Sequence, residues 1–372
     1  MAQTTMSRWG ADLYTGKVSY GIVQHRRRWY AIGGTLIAIS LLLLLVRGLA
    51  PGIEFKGGSE FTLSGLTSTE QQPAIDAVGA INNSEIPRVS KLGDASLRVQ
   101  TGKLSADETT KVADSLAAAY GIDGKDVSTT FIGPSWGADV TNKAVQGLVV
   151  FLVLVSVVMT LYFRNWRMAV GALVALAHDM VVTVGLYAGT GWEVTPATVI
   201  GFLTILGYSM YDTVVVFDKV RENTAKVLQQ KRYTYAEMAN LAVNQTLVRS
   251  INTSVVALLP VGAILFIGAF ILGAGTLRDI SLALFIGIMA GTFSSIYIAT
   301  PVAVSLSERR PDVAAHTKAV LEARAASAAA REAAGVEDDE DFRVGAATPG
   351  HHRGQAAQPV RRKASRGPGR AS

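Results

Sequence analysis

Three ionisable side chains stand inside otherwise apolar runs: His178 and Asp179, adjacent in VALAHDMVV, and Asp212 in GYSMYDTVVVF. A fourth, Arg249, opens a later apolar run. Each such group costs about 2.5–3.5 kcal/mol to place at the centre of a membrane helix, so each needs a reason. Tyr208 and Ser209 precede Asp212 at helical i, i+4 and i, i+3 spacing, which puts the three polar groups on one stripe. Asn252 and Thr253 follow Arg249 at the same spacing and form a second stripe on an adjacent, antiparallel helix. The two stripes could meet. Desolvation favours a neutral acid and a nearby guanidinium favours the carboxylate, so an acid held between them can load and unload protons.

A blander reading makes Asp212 and Arg249 a static ion pair that fixes helix packing. For Asp179 it is that the neighbouring His178 simply hydrogen-bonds it or a backbone carbonyl. His178 has no second His, Cys or carboxylate at a ligand spacing beyond Asp179, so no metal is expected. An intramembrane hydrolase built on His178 and Asp179 would lack a nucleophile on a reachable stripe, and no enzyme is expected. The absence of cysteine excludes disulfides and thiol chemistry.

The elements that must position these residues are membrane helices. Of 372 residues 49% are hydrophobic and 17% charged, with a mean hydropathy of +0.30. The apolar runs approach the roughly 20 residues that a helix needs to cross a bilayer. The first span runs from Trp29 to Val46, after Arg26, Arg27 and Arg28 and before the break Ala50-Pro51-Gly52. No small-residue cleavage site precedes Pro51, so this helix is expected to be retained. Five more spans lie near Ala144 to Phe163, Met168 to Gly189, Pro196 to Phe217, Ser250 to Leu272 and Ile280 to Leu306.

Between the first two spans the polar segment reads as strand (GGSEFTLSG), helix (Ser68 to Asn82), strands (Arg88 to Ser90 and Ser96 to Thr101), helix (Ser105 to Tyr120) and strand (Asp126 to Phe131). That order is the split-βαβ, ferredoxin-like pattern. The chain thus divides into an N-terminal segment 1–28, a first transmembrane helix 29–49, a soluble domain 50–140, a five-helix region 141–307 and a tail 308–372.

Arg164 and Arg167 follow the second span, and Lys219, Arg221, Lys226, Lys231, Arg232 and Arg249 lie between the fourth and fifth. Positive loops face the cytoplasm, which places both termini there and the domain outside, with loops Thr190 to Thr195 and Gly273 to Asp279. Beyond Leu306 the composition cannot bury a core, and disorder is expected after one helix reaching Ala334. An acidic block, Glu337 to Asp341, and basic residues from Arg353 to Arg370 follow. The net charge of +6 lies mainly in Arg26 to Arg28 and this tail, which positive-inside orientation explains without a nucleic-acid partner. Gly287, Gly291, Ser294 and Ser295 form a small-residue face in the sixth span, explained by close helix packing. Pro196 and Pro260 are positioned to start and kink their helices.

Five ordered blocks carry a resemblance: GIEFKGGS from Gly52, Ala177-His178-Asp179, GYSMYDTVVVFDKVREN from Gly207, NQTLVRSINTS from Asn244 and GTFSSIYIATP from Gly291. Together they resemble the SecF family, within the resistance-nodulation-division (RND) superfamily, over most of the chain apart from the tail. The resemblance implies a polytopic α-helical membrane protein of the bacterial inner membrane: a six-helix RND-type bundle with an inserted ferredoxin-like α+β extracytoplasmic domain. It implies SecD as the partner completing a pseudo-symmetric bundle, the SecYEG channel, preprotein substrates, surrounding membrane lipid, and protons as coupling ion with no bound cofactor. The family's proton-relay positions match Asp212 and Arg249, and its His-Asp block makes Asp179 a secondary candidate. The family motif GIDFTGG corresponds to Gly52, Glu54, Phe55, Gly57 and Gly58, with Glu54 for the usual Asp and Lys56 for the usual Thr. The alternative is an RND-type small-molecule or lipid exporter, for which a domain of about 90 residues is small.

Overall fold

The computed structural model describes residues 5–83, 86–92, 95–271 and 275–333. The acidic block at 337–341, the basic residues from 353 onward, Ala334 and part of the loop at 273–279 lie outside the described residues. Among the described residues six helices are long and apolar enough to cross a membrane. They are α2 (Arg26–Arg47), α6 (Pro134–Phe163), α7 (Trp166–Thr190), α8 (Pro196–Thr224), α9 (Tyr235–Ala263, continued as a wide π-helical turn Ile264–Ile271) and α10 (Gly275–Ser294). A second π-helical segment, Ser295–Ala299, and α11 (Thr300–Glu308) prolong α10. Pro301 lacks an N–H and so frees the carbonyl four residues before it, a local cause for the widened turn.

Burial separates the helices into a centre and a rim. Half of the apolar window of α7 and 61% of that in α10 and its continuation are buried, against 11% in α2 and in α6. The centre is therefore α7, α8 and α10, with α2 on α7 and α9 on α8 and α10. Small residues set the spacing: a Cβ on Gly185 would lie 2.5 Å from Ser40 Cα on α2, and one on Gly171 2.7 Å from the Ala299 carbonyl oxygen.

Several helices outrun their apolar runs. α6 begins ten residues before Ala144, α8 runs past Phe217, and α9 starts at Tyr235 instead of Ser250. Hydropathy marks where lipid ends, whereas caps mark where helices end: Thr234 and Glu237 form a reciprocal capping box at the start of α9. The added turns of α9 dock a helix that hydropathy did not reveal, α1 (Thr5–Thr15). Gln245 Nε2 donates to the Tyr14 carbonyl of α1 at 3.0 Å, and in the segment after α1 the Tyr20 and Val23 amides donate to Asn244 Oδ1 at 2.7 Å and Asn240 Oδ1 at 3.0 Å. At the same end, α12 (Pro311–Ala333) buries Val313 and Val320 and is held by Arg324, which donates to Glu237 Oε1 and Oε2 at 2.7 and 2.6 Å. The first stretch beyond Leu306 is thus a docked helix.

The inserted domain contains β2 (Gly58–Ser64), α4 (Gln72–Gly79), β3 (Arg88–Lys91), β4 (Ser96–Thr101), α5 (Ala106–Tyr120) and β5 (Val127–Ile132). Its antiparallel sheet has the order β3-β4-β2-β5, the ferredoxin-like arrangement that the βαββαβ pattern predicts. Alternation on β2 and β4 turns Phe61, Leu63, Leu97 and Val99 onto Val112 and Leu116 of α5, all without exposed surface. Ser105 and Glu108 cap α5, and Gly121 ends it in the left-handed conformation.

A seam joins domain and bundle. β1 (Ala50–Pro51) pairs in parallel with β6 (Glu193–Val194), between α7 and α8, and the Gly52 amide donates to the Val194 carbonyl at 2.8 Å. A single turn, α3 (Ile53–Lys56), follows and packs on α6, where a Cβ on Gly137 would lie 2.6 Å from the Phe55 carbonyl oxygen.

Candidate functional site

The buried polar groups of the bundle converge where α7, α8 and the end of α10 meet. α7 supplies His178 and Asp179, exposed by 1% and 0%, and α8 supplies Ser209 and Asp212. Ser209 Oγ donates to Asp179 Oδ2 at 2.6 Å and Ser294 Oγ to the same oxygen at 2.8 Å. His178 Nδ1 lies 3.1 Å from Asp179 Oδ1. Asp212 Oδ2 accepts from Ser295 Oγ at 2.5 Å. Adjacent serines thus serve different helices: Ser294 reaches α7, and Ser295, which opens the π-helical segment, reaches α8. Gly291 lets the elements close, because a Cβ there would lie 3.0 Å from Ser209 Cβ and 3.5 Å from Asp179 Oδ2.

Asp179 therefore holds the most connected position, although it ranks second in the sequence reading. The small-residue face of α10 supplies donors as well as room. His178 Nε2 and the half-buried Tyr208's hydroxyl are enclosed with no hydrogen-bond partner among the described residues. Tyr208 is therefore on the expected helix but not bonded to Asp212. The His178 ring packs on Phe293 at 5.9 Å, and Phe293 on Tyr297 at 5.2 Å.

The expected meeting of the Asp212 and Arg249 stripes does not occur. The buried stripe of α9 is Val243, Leu247, Ser250 and Ser254, and Ser254 Oγ lies 2.6 Å from Thr292 Oγ1 on α10. Arg249, Asn252 and Thr253 fall on the neighbouring stripe, about 100° away for a one-residue offset. Arg249 and Asn252 are exposed, and the Thr253 hydroxyl donates to the Arg249 and Ser250 carbonyls at 3.0 Å. No ion pair joins Arg249 to Asp212 among the described residues. Helical spacing fixes which residues share a stripe but not which stripe faces inward.

The glycine motif builds the seam. Gly57 and Gly58 take φ values of +77° and +147°, and a Cβ on Gly58 would lie 2.4 Å from the Thr101 carbonyl oxygen. A Cβ on Gly52 would meet Glu54 Oε2 at 2.4 Å. Beside the motif Arg98 of β4 lies 3.6 Å from Glu60 and 3.7 Å from Glu193, and Arg88 donates to the Gly191 carbonyl at 2.5 Å. Asp279 accepts from Thr195 Oγ1 at 3.2 Å on the bundle side. Burial pushes the Glu193 carboxyl above its ordinary value of 4.5, outweighing Gln100 and Arg98, and burial does the same to Glu54.

A seat that raises these values binds protons more readily than the released domain. It is weakened as pH rises through the seated pKa values and strengthened as pH falls towards 4.5. Hydrogen exchange at the Gly52 amide, corrected for intrinsic rate, should therefore show more protection at about pH 5 than at about pH 8. Glu193→Gln should reduce that difference, leaving the share that Glu54 contributes; a difference of opposite sign would refute the assignment.

A family model described as "Protein export membrane protein SecD/SecF, C-terminal" matches residues 111–309, and the SecD/SecF GG motif matches 42–64. The protein translocase subunit SecF of Streptomyces coelicolor is 48% identical over 332 residues, covering 89% of this chain and 88% of that one. SecF of Mycobacterium leprae is 42% identical, over 84% of this chain and 69% of its own. The crystal structure of SecDF from Thermus thermophilus, a translocon-associated membrane protein, superposes with a TM-score of 0.71 at 29% identity. The superposition covers 79% of this chain and 39% of that longer one. The glycine motif, the helix order and these alignments agree: the chain belongs to the SecD/SecF protein-export family and is of its SecF type.

Proposed function

We propose that this chain is the SecF half of a SecDF-type complex that uses the proton motive force to assist preprotein translocation through SecYEG and release on the outer side. SecD supplies the part of the longer SecDF chain that this chain does not cover, and completes the bundle. The inner membrane is its location, with both termini on the cytoplasmic side, as the lysines and arginines of the α6–α7 and α8–α9 connections favour. The observation that carries the reading is the pair of carboxylates, Asp179 and Asp212, enclosed in a membrane bundle among serine hydroxyls. Neither has a Lys or Arg partner among the described residues. An ionised acid in that setting is costly and a neutral one is not, so proton uptake can be tied to which helix packing is preferred.

Arg249 extends the relay outside this chain. A guanidinium exposed on a membrane-spanning helix needs a partner, and the face that carries it is open for the SecD half to supply an acid. The test is preprotein export in vesicles containing the whole complex, with the gradient imposed or collapsed. Arg249→Ala should leave the chain folded and the gradient-independent rate unchanged, while the gradient-dependent increment disappears. An undiminished increment in a complex that still contains SecD would reject the relay.

A further inference from the structure

A groove of about 550 Å³ lies below the seam, between α6, α7 and α8. Leu148, Met180, Val184, Phe202 and Leu203 line it, with Phe55 of α3 above. Among the described residues Lys56 is the only charged one lining it, and it is exposed. That lysine stands where the resembled motif has threonine, and neither the seam nor the buried carboxylates use it. Lys143 is exposed on α6 next to Ala144, which also lines the groove.

The dimensions narrow the choice of occupant. Leu148 lies seven residues below Thr141, about 10 Å of helix, and Met180 ten residues below the end of α7, about 15 Å. The groove thus begins at the seam and stops about halfway through a hydrocarbon layer roughly 30 Å thick. The exposed apolar face of α6 continues past Leu148 through Val153, Val157 and Leu161, but the hollow itself ends at Leu148, so its depth and the lysine at its mouth set the occupant. An acyl chain occupies one leaflet, and its phosphate lies at the interface, level with the lysine. The volume is in the range of pockets that take single small ligands, and the apolar lining matches hydrocarbon.

We propose that this groove binds one acyl chain of an anionic phospholipid from the outer leaflet, with Lys56 pairing with the phosphate. Bound there, the lipid wedges between α6 and the α7–α8 pair directly beneath α3.

The full chain in nanodiscs of phosphatidylcholine, doped with phosphatidylglycerol carrying a mid-chain diazirine, provides the test. After photolysis, adducts on Leu148, Met180 or Leu203 should exceed those on Leu42, which faces open lipid on α2, by several-fold. Leu203→Trp, which fills the groove, should lower them to the Leu42 level. Lys56→Gln, an exposed substitution that leaves packing untouched, should reduce the preference for the phosphatidylglycerol probe over a phosphatidylcholine probe by about fivefold. Groove labelling no greater than at Leu42 would overturn the proposal. So would lipid labelling that a photoactivatable apolar peptide displaces, since the groove would then be a protein-docking surface. An unchanged headgroup preference in Lys56→Gln would remove the phosphate contact.

Discussion

Asp212→Asn should abolish the gradient-dependent part of preprotein export while leaving the complex assembled, and Asp179→Asn should do the same. Asparagine is nearly isosteric with aspartate, and its amide oxygen can accept from Ser295 at position 212, or from Ser209 and Ser294 at position 179. Packing around the serines is therefore preserved and only the titratable proton is lost. The expected rate is that of the native complex with the gradient collapsed. If the serines merely satisfy static acids, the amide would be tolerated and export would keep its response. Ser294→Ala should weaken the response without removing it, because Asp179 keeps its contacts with Ser209 and His178.

The second large effect is structural. Gly185→Leu should separate α2 from α7, since even a Cβ at 185 would lie within 2.2 Å of Ser40 Cβ and 2.5 Å of its backbone. Backbone cannot turn aside as a side-chain tip can. Overpacking of this kind typically costs about 1–3 kcal/mol for a methyl-sized intrusion and more for a larger one. The variant should lose its cooperative thermal transition in detergent, whereas Gly34→Leu, at a helix position with open space around it, should not. A native-like transition in Gly185→Leu would show that α2 can be displaced freely, and that the close contact does not hold the bundle together.

The fold was largely legible because its signals are strong and local. Six apolar runs of membrane length and a βαββαβ pattern with caps and alternation each point to one element type. Where the reading fell short, the signal had another form. α1 carries little hydropathy and is held by the buried Leu13 and by Gln245, which donates to the Tyr14 carbonyl. The composition predicts a helix reaching Ala334, but not its docking through the Arg324–Glu237 pair. The T-x-x-E capping box at Thr234 marked the true start of α9, but the apolar run begins fifteen residues later.

At the site, residue identity was readable and facing was not. His178, Asp179, Ser209 and Asp212 lie together because α7 and α8 are both central. Arg249, Asn252 and Thr253 lie on a stripe that leaves this chain's core, one residue away from the stripe that enters it. Ser294 and Ser295 were visible as small residues, but small residues signal close approach whether or not their hydroxyls are used. Only the meeting of three helices reveals them as donors. The π-helical segment at Ser295 had Pro301 as its one sequence cue.

The seam between domain and bundle was invisible to local reasoning. Two residues, Ala50 and Pro51, pair with two more than a hundred positions away, and such short strands carry no periodicity. The glycine motif pointed to the place without giving the reason. Gly58 is small because the Thr101 carbonyl of its own sheet comes too close for a Cβ, and Gly137 of α6 leaves room for the Phe55 carbonyl of the motif, so it is the motif's α3 turn against α6 that joins domain and bundle.

The most direct measurement is infrared difference spectroscopy of the assembled complex in oriented vesicles, with an imposed proton gradient as the trigger. The account predicts a carboxylic-acid band that appears and disappears with the gradient, is lost in Asp212→Asn or Asp179→Asn, and shifts when Ser294 or Ser295 is replaced. A band unaffected by all four substitutions, or both acids held in one protonation state throughout export, would contradict it.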